Sequence, residues 1–366
     1  MKILLIGEYS NVHATLAKGL RWHGQDVTVM SNGDFWKDYP RDIDLSRHHG
    51  KLGGLAYYTH LCTLLPRLKG YDIVQLINPI FVELKAQRIS PIYRHLRRNN
   101  KKIILGGFGM DWYWVHTCIT EKPLRYSDFN IGDRLRTNTD ALIERKDWIN
   151  TSKETLNKLI ANDCDGIVTG LYEYWVCYHP AFPQKTTYIP YPIEISEKNT
   201  YRHWTKGEKI RFFIGINKTR NEYKGTDIML AAAQKMLEKY PERMELKIAE
   251  SVPYTQYQEM MEGSDAIFDQ LYSYTPSMNP LQAMSKGIIC IGGGEPENYE
   301  ILGEKELRPI INVEPNFESV CNAIEQLILH PERINHLKEE SIEYVSRHHE
   351  YRKVAKEYID FYNRNE

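Results

Sequence analysis

The sequence lacks the patterns that identify several large classes of protein. None of its six cysteines forms a Cys-x-x-Cys pair, and no spacing of histidine, cysteine or carboxylate residues is typical of a metal site. No apolar run is long enough to cross a bilayer. The first apolar segment is not followed by Gly-x-Gly-x-x-Gly, the turn that binds nicotinamide and flavin dinucleotides. These absences argue against a zinc protein, a membrane-spanning protein and a common dehydrogenase.

An excess of charge is also missing, since 47 lysines and arginines balance 48 aspartates and glutamates. Such a chain is not expected to bind nucleic acid non-specifically. The basic run at residues 94–102 is interpreted as a solvated helix end, with a patch that touches anionic lipid as the alternative. The cysteines lie singly, several in apolar segments, which indicates reduced thiols. We therefore expect a cytoplasmic protein, with peripheral contact at the inner membrane face left open.

Apolar and amphipathic segments alternate along the first half of the chain. The apolar segments are uniformly apolar, as strands covered on both faces require. They are predicted as strands at residues 3–6, 27–30, 73–76, 103–105 and 167–169. Helices are predicted at residues 12–23, 54–68, 84–98, 152–161 and 171–178. This order predicts a doubly wound parallel α/β sheet.

The same pattern restarts in the second half. A short strand at residues 187–193 contains two prolines and is followed by a polar stretch to residue 208. We place the domain boundary there, which gives domains at 1–193 and 194–345 and a final helical segment at 346–366. The second domain is predicted to contain strands at 210–214, 244–249 and 310–313, with helices at 226–240 and 254–262.

The stretch at residues 265–300 is the most informative part of the second domain. A strand at 266–268 ends in Asp269, and a loop leads to a helix that is predicted from Asn279 to Lys286. Asn279 suits the N-cap, and Asn279, Gln282 and Lys286 share one helical face. Groups at the carboxyl ends of parallel strands gather at one edge. This edge is interpreted either as an anion site at a helix start or as a well-capped helix without a ligand.

This stretch resembles the donor-binding signature of retaining GT-B glycosyltransferases of the family 4 type. That signature has E-x7-E running into E-A-M-x-x-G, followed by G-G-x-P-E. The chain has Gln282-Ala283-Met284-Ser285-Lys286-Gly287 and then Gly293-Gly294-Glu295-Pro296-Glu297. Tyr274 and Gln282 stand where the signature has its two glutamates. Lys224-Gly225 matches the end of the family's G-R-x-x-x-x-K-G loop, with the arginine displaced by one position to Arg220.

The resemblance implies a GT-B fold, in which two Rossmann-like domains face each other across a cleft and the last helix crosses back to the first domain. It implies a hexosyltransferase that moves a sugar from a nucleotide-diphosphate sugar to a glycan or lipid-linked acceptor. Retention of configuration is implied, with no metal and no cofactor. Two other functions stay open, a nucleotide-sugar epimerase of the same fold and a catalytically silent nucleotide-sugar-binding subunit.

The resemblance also implies roles for individual residues. Arg220 and Lys224 would bind the diphosphate, and Asp111, after the glycine-rich end of the fourth strand, would be the third catalytic candidate. The candidates for donor binding are Asp269, Tyr274, Asn279, Leu281, Gln282, Glu250 and Ser251. The candidates on the acceptor or sugar side are Gly7, Glu8, Ser10, His13 and His116. An ordinary turn aspartate and a helix-face histidine are the alternatives at Asp111 and His13. Residues 117–150 are interpreted as an insertion that selects the acceptor.

Overall fold

The computed structural model describes residues 1–48, 50, 52–195, 201–218 and 220–364. The strands are β1 (Lys2–Ile6), β2 (Asp26–Ser31), β3 (Ile43–Asp44), β4 (Ile73–Leu76), β5 (Lys102–Gly107), β6 (Asn130–Ile131), β7 (Arg134–Leu135), β8 (Gly166–Thr169), β9 (Thr186–Tyr188), β10 (Ile210–Ile216), β11 (Met244–Glu250), β12 (Ala266–Phe268), β13 (Ile289–Gly292) and β14 (Ile311–Asn312). The helices are α1 (Val12–Trp22), α2 (Gly53–Leu64), α3 (Ala86–Asn99), α4 (Trp112–Thr120), α5 (Thr139–Trp148), α6 (Ser152–Asp163), α7 (Tyr172–Tyr178), α8 (Asn221–Lys224), α9 (Thr226–Lys239), α10 (Tyr254–Met261), α11 (Met278–Met284), α12 (Pro296–Leu302), α13 (Phe317–Leu329), α14 (Ile334–His348) and α15 (Tyr351–Tyr362).

The strands form two parallel sheets, one in each half of the chain, as the alternating pattern predicts. Within the described residues, the first sheet has the order β3-β2-β1-β4-β5-β8-β9 and the second has the order β11-β10-β12-β13-β14. The central strand β1 pairs in parallel with both neighbours, so that Ile3 lies opposite Val27 and Ile73. Helices cover both sheets. The predicted class, an α/β protein with two doubly wound domains, is confirmed.

The predicted helices and strands differ from the structure mostly at their ends. The predicted helix at 54–68 ends as an α-helix at Leu64 and continues as a single 3-10 turn at Leu65–Arg67, because Pro66 cannot continue the α-helical ladder. Helix α4 was not predicted. It is buried on nearly all sides and has no polar face that would reveal helical periodicity. The insertion at 117–150 contains the β6–β7 hairpin and helix α5.

The last helix lies on the first domain. Helix α15 packs against α1 at Gly19, where a Cβ atom would lie 2.4 Å from the Tyr351 carbonyl oxygen. The hydroxyl of Tyr362 donates to Gln75 Oε1 at 2.8 Å, and Gln75 lies in β4. The backbone N–H of Ile193 donates to the His349 carbonyl at 2.6 Å, where the chain returns to the first domain. The boundaries at 193 and 345 themselves stay a prediction.

A buried ion pair fastens helix α14 to the second sheet. Lys338 and Asp265 are both 0% exposed, and Lys338 Nζ donates to Asp265 Oδ1 at 2.6 Å. Arg202 Nη1 contacts the same oxygen at 2.7 Å. Since an unpaired buried charge is strongly destabilising, this pair constrains the position of α14.

Replacing Lys338 with Met should therefore destabilise the second domain by about 3 kcal/mol, because Asp265 keeps only Arg202 as a cationic partner. Urea unfolding followed by far-UV circular dichroism would measure the change. The control is His336→Ala on the exposed face of the same helix, which should cost less than about 0.5 kcal/mol. Equal midpoints for the two variants would show that the buried pair does not stabilise the domain.

Candidate active site

The carboxyl ends of the two parallel sheets face each other across a cleft. On one side, the rings of Trp36 and Tyr39, which follow β2, lie 6.3 and 5.8 Å from the ring of Tyr254 at the start of α10. On another side, Glu173 at the start of α7 reaches the segment that follows β12. These contacts border the edges of the two sheets at which the predicted site residues lie.

The Glu173 carboxylate joins the two domains. It is only 4% exposed, and its Oε1 accepts hydrogen bonds from the backbone N–H of Tyr274 at 2.6 Å and of Thr275 at 3.1 Å. The Ser273 hydroxyl donates to the same oxygen at 2.9 Å, and the Thr275 hydroxyl donates to Oε2. Burial raises the pKa of Glu173, and the Thr275 hydroxyl and the backbone N–H groups of Tyr274 and Thr275 oppose that rise. One carboxylate therefore fixes the 273–275 segment against the first domain.

Two cations lie in the cleft at the end of β10. Arg220 is exposed and stacks on the Tyr223 ring at 4.7 Å, and Lys224 is half-buried. Within the described part of the chain, neither residue forms a salt bridge. Burial lowers the pKa of Lys224, although the charge of Asp269 opposes that effect. The Arg220 charge also lowers the pKa of Lys224, so the two residues form a cationic pair whose repulsion is only partly offset by the carboxylates of Asp269 and Asp128.

Gly225 explains why a Lys-Gly pair occurs here. Its φ of +73° is in the left-handed region, and a Cβ atom would lie 2.6 Å from Leu271 Cβ. Only glycine fits this position without strain. The Lys224 carbonyl accepts the backbone N–H of Leu271 at 2.9 Å, so this loop is fastened to the segment that follows β12.

Asp269 lies at the end of β12 beside this cationic pair. It is 8% exposed, and its Oδ2 atom is buried with no hydrogen-bond partner among the described residues. Burial raises the pKa of Asp269 to about 6, against the pull of the Lys224 charge. A buried carboxylate oxygen without a donor is costly, so this atom is suited to accept a hydrogen bond from a ligand.

Helix α11 begins at Met278, one residue before the predicted start, and is seven residues long. Asn279 does not cap it, which corrects the sequence interpretation: its Nδ2 donates to the Tyr257 hydroxyl at 2.9 Å. Gln282 accepts from the Tyr254 hydroxyl at 3.0 Å. Both side chains, like Lys286, thus face α10, while Leu281 is fully buried in the core. Asn279 therefore makes a tertiary contact with α10 in place of the predicted N-cap hydrogen bond.

Glu250 and Ser251 lie at the neighbouring strand end, as expected for donor-binding candidates. Both are exposed at the end of β11, and Ser251 has a left-handed φ of 50°. Glu250 pairs with Lys218 at 3.2 Å across the ends of β10 and β11. They stay predictions for the nucleoside end of a donor.

Tyr274, which stands in place of the first signature glutamate, is 1% exposed. Its hydroxyl accepts the backbone N–H of Arg125 at 2.7 Å, and its ring lies 4.9 Å from the ring of Tyr126. The insertion of the first domain covers Tyr274 in this structure, and its role as a donor contact stays a prediction. Arg125 also pairs with Glu297 at 2.5 Å and Glu295 at 2.7 Å.

Sequence reasoning missed Asp128, a carboxylate that the insertion carries into the cleft. Asp128 Oδ2 accepts from Trp114 Nε1 at 3.2 Å and from the Tyr223 hydroxyl. Burial raises the pKa of Asp128, while Arg136 and Arg220 lower it. No local motif marks Asp128, since only the folding of the insertion brings it opposite Arg220.

The acceptor-side candidates separate into buried and accessible residues. Gly7 turns sharply with a φ of +85° beside Ile77. Glu8 is 3% exposed and accepts the backbone N–H groups of His13 and Ala14 at 3.3 and 2.8 Å. Ser10 is half-buried, and its hydroxyl accepts from Lys37 Nζ at 3.3 Å. Ser10 is therefore the accessible polar group of this turn.

His13 and Asp111 are core residues, which corrects their assignment to the cleft; both are 0% exposed. His13 Nδ1 donates to the Gly7 carbonyl at 2.8 Å, and its Nε2 accepts from Gln75 at 3.1 Å. Asp111 caps α4 by accepting the Trp114 N–H at 2.9 Å, and the Tyr178 hydroxyl donates to it at 2.7 Å. The polar atoms of both side chains are therefore hydrogen-bonded within the first domain.

His116 is half-buried and stacks on Trp112 at 4.3 Å. Lys158 of α6 also lies 4.0 Å from the Trp112 ring. This places His116 on the side of α4 that adjoins α6, and its role on the acceptor side stays a prediction.

At the level of sequence, the chain matches no family model and no curated protein. Solved structures do match along the whole chain. Sucrose-phosphate synthase from Thermosynechococcus elongatus has a TM-score of 0.65 at 12% identity, covering 99% of this chain and 98% of that one. The chain has the GT-B fold.

Two further GT-B structures cover the chain as completely. The catalytic domain of starch synthase IV from Arabidopsis thaliana, bound to ADP and acarbose, has a TM-score of 0.60 at 10% identity and covers 100% of this chain and 99% of its own. UDP-GlcNAc 2-epimerase from Neisseria meningitidis, bound to UDP-GlcNAc, has a TM-score of 0.53 at 12% identity, covering 98% and 99%. Within the described residues, no helix is long and apolar enough to span a membrane.

Burial raises the pKa of Glu8 from its usual value of 4.5 to about 8, even though the backbone N–H groups of Ala14, His13 and Tyr9 lower it. In the unfolded chain Glu8 ionises above a pH of about 4.5, whereas in the folded chain it keeps its proton up to a pH of about 8. Raising the pH through this window therefore favours unfolding. Glu8→Gln should become more stable relative to the wild type as the pH rises from 5 to 8.

Melting temperatures at the two pH values would measure that difference. The control is Glu242→Gln at an exposed site, whose melting temperature relative to the wild type should not change with pH. A Glu8→Gln difference that is constant or shrinks from pH 5 to 8 would show that Glu8 is not held in its protonated form.

Proposed function

We propose that this protein transfers a sugar from a nucleotide-diphosphate sugar to a glycan or lipid-linked acceptor, with retention of configuration. The observation that carries the proposal is the cationic pair of Arg220 and Lys224 at the cleft, beside the unpartnered Asp269 oxygen. A diphosphate would relieve the repulsion between the two cations. The GT-B fold supports this proposal, because ligands of such sheets bind at the carboxyl ends of the strands.

Sugar transfer from such a donor creates charge on the departing diphosphate. Arg220 can hold a phosphate with parallel N–H donors, and Lys224 adds a point charge. Both contacts strengthen as the glycosidic bond breaks, so they stabilise the transition state more than the bound donor. The protein's own cations can carry this charge, and the proposal requires no metal. Asp269 would accept a hydrogen bond from a donor hydroxyl.

The first domain would supply the acceptor side. Asp128 reaches the cleft opposite Arg220, and Ser10 with Lys37 lines the turn after β1. The rings of Trp36 and Tyr39 narrow the cleft mouth against Tyr254 and offer apolar faces on which a sugar can stack. This arrangement is suited to a carbohydrate acceptor.

Replacing Lys224 with Ala should lower turnover on the order of 10²-fold, by analogy with the loss of a single oxyanion donor. It should also weaken the binding of UDP and ADP more than that of uridine and adenosine, because the lost charge contacts the diphosphate. Titration calorimetry would compare the four ligands. Lys218→Ala is the matched control, since Lys218 lies in the same loop but pairs with Glu250.

A thermal-shift panel with UDP, ADP and GDP would first identify the nucleotide, since a ligand at about 100 times its dissociation constant stabilises a protein by about 2.7 kcal/mol. If Lys224→Ala and Lys218→Ala bound the preferred diphosphate with the same affinity as the wild type, the diphosphate site would lie elsewhere.

The second candidate function is a nucleotide-sugar epimerase. It is favoured by the fold similarity to the bacterial epimerase and by the replacement of both signature glutamates with Tyr274 and Gln282. Incubation with a nucleotide sugar in the absence of acceptor separates the functions by nuclear magnetic resonance. We expect slow release of the free sugar with its anomeric configuration retained. An epimerised donor would establish the second function, and an unchanged donor bound with high affinity would indicate a silent binding subunit.

A further inference from the structure

The first domain carries exposed apolar side chains outside the cleft site. Phe35 and Trp36 are each 63% exposed, Leu55 is 65% exposed and Leu52 is 78% exposed. Single exposed leucines are normal on a protein surface, but a contiguous group of large apolar side chains marks an interaction surface.

Helix α2 is exposed yet carries no charged side chain. Its sequence, GGLAYYTHLCTL, buries only Tyr57 and Leu61. A helix that faces water normally has a polar face with charged residues. The outer face of α2, with Leu55 and Tyr58, is therefore suited to surroundings less polar than bulk water.

Arg47 connects the exposed residues after β2 with helix α2, because its guanidinium lies beside Gly54 at the start of that helix. A groove of about 610 Å³ is lined by Phe35 and Trp36 together with Arg47 and His48, which join the loop after β2 to the segment that precedes α2. The Arg88 guanidinium lies 5.4 Å from the centre of the Tyr58 ring. The surface thus extends from the end of β2 across α2 to the start of α3.

Cations border the apolar part along α3, whereas the first groove is also lined by the carboxylate of Glu83. A second groove of about 680 Å³ lies between α2 and α3, and its lining includes Arg88, Arg94 and Arg98. Among the described residues, none of these three forms a salt bridge, whereas Arg97 pairs with Asp165 at 2.7 Å. Residues 46–101 contain ten lysines and arginines and two carboxylates, in a chain whose net charge is −1. The basic residues are Arg47, Lys51, Arg67, Lys69, Lys85, Arg88, Arg94, Arg97, Arg98 and Lys101, and the acidic ones are Asp72 and Glu83.

We propose that this surface binds an anionic lipid bilayer. The lipid-facing surface consists of Phe35, Trp36, Leu52, Leu55 and Tyr58, bordered by Arg88, Arg94 and Arg98. Tryptophan and tyrosine favour the boundary between headgroups and acyl chains, and uncompensated arginines favour anionic headgroups. A second copy of this chain would place cations against cations in a two-fold contact, which opposes self-association through this surface. Binding to a bilayer does not depend on the proposed transferase activity.

The position of this surface has a consequence for the acceptor. The Trp36 ring lies 6.3 Å from the ring of Tyr254, so the lipid-facing surface adjoins the mouth of the cleft. A chain bound to a bilayer through this surface would hold the cleft mouth beside the membrane. If the proposed function holds, the acceptor is therefore a lipid-linked glycan rather than one free in solution.

Flotation of the full chain with vesicles tests the proposal. Vesicles of phosphatidylcholine alone are compared with vesicles that also contain phosphatidylglycerol, at low and high salt. We expect binding to the anionic vesicles, weakened by salt. Two double variants, Leu52→Ser with Leu55→Ser and Arg94→Gln with Arg98→Gln, should each bind about tenfold or more weakly, since one arginine near an anionic surface contributes about fivefold.

Matched controls change other exposed residues outside this surface. Trp22→Ser with Leu329→Ser is the apolar control, and Arg243→Gln with Lys247→Gln is the cationic control; both should bind vesicles like the wild type. Diphosphate binding and melting temperature, measured on every variant, separate this result from the cleft site and from misfolding. The proposal is overturned if the wild type does not float with anionic vesicles, or if the two surface variants bind as tightly as their controls. Binding only to an acidic protein, and to no vesicle, would also overturn it.

Discussion

The shape of the cleft depends on the burial of one carboxylate between the domains. Glu173 belongs to the first domain, but the hydrogen-bond donors that satisfy it from across the cleft all lie at residues 273–275 of the second domain. Ionised or not, a buried carboxyl group needs these partners, so the two halves cannot separate without leaving it unsatisfied or exposing it to water. Arg125, paired with Glu295 and Glu297, closes the same interface from the insertion. The width of the cleft is thus set by a small number of polar contacts.

Polar groups on this interface are bonded, while a few groups beside it are not. The Asp269 Oδ2 atom has no hydrogen-bond partner among the described residues. Among the same residues Arg220 and Lys224 form no salt bridge, although Arg220 stacks on the Tyr223 ring. A buried polar atom without a partner is costly, so the Asp269 oxygen beside two cations is suited to contact a ligand. This contrast, more than any single motif, distinguishes the site from the rest of the cleft. It also separates the site from the lipid-facing surface, where cations border apolar side chains instead of polar ones.

Most of the fold could be predicted from periodicity, because buried parallel strands are uniformly apolar and their covering helices are amphipathic. Strand β4 begins and ends where the sequence predicts, and α1, α6 and α10 differ by one or two residues. Among the residues of the site, the sequence indicated Lys224, Gly225 and Asp269. The first two form a Lys-Gly pair, and Asp269 directly follows an apolar strand. Asp111 and His13 were wrong as cleft residues, since position at a strand end does not show whether a side chain turns toward the cleft or the core. Burial at those positions depends on Tyr178 and Gln75, which lie far away in the sequence.

The sequence by itself determined the two parallel sheets, their α/β order and the loop that carries the cations. These features follow from local periodicity and from a glycine whose backbone conformation few other residues adopt. Only the tertiary structure decided what closes the cleft. Asn279 bonds to Tyr257 instead of capping its helix, Tyr274 lies beneath the insertion, and Glu173 and Asp128 reach the second domain from segments without a recognisable motif. The physical reason is that buried polar groups find their partners through tertiary packing: a side chain bonds to the partner that packing brings near, and the sequence around it does not reveal that partner.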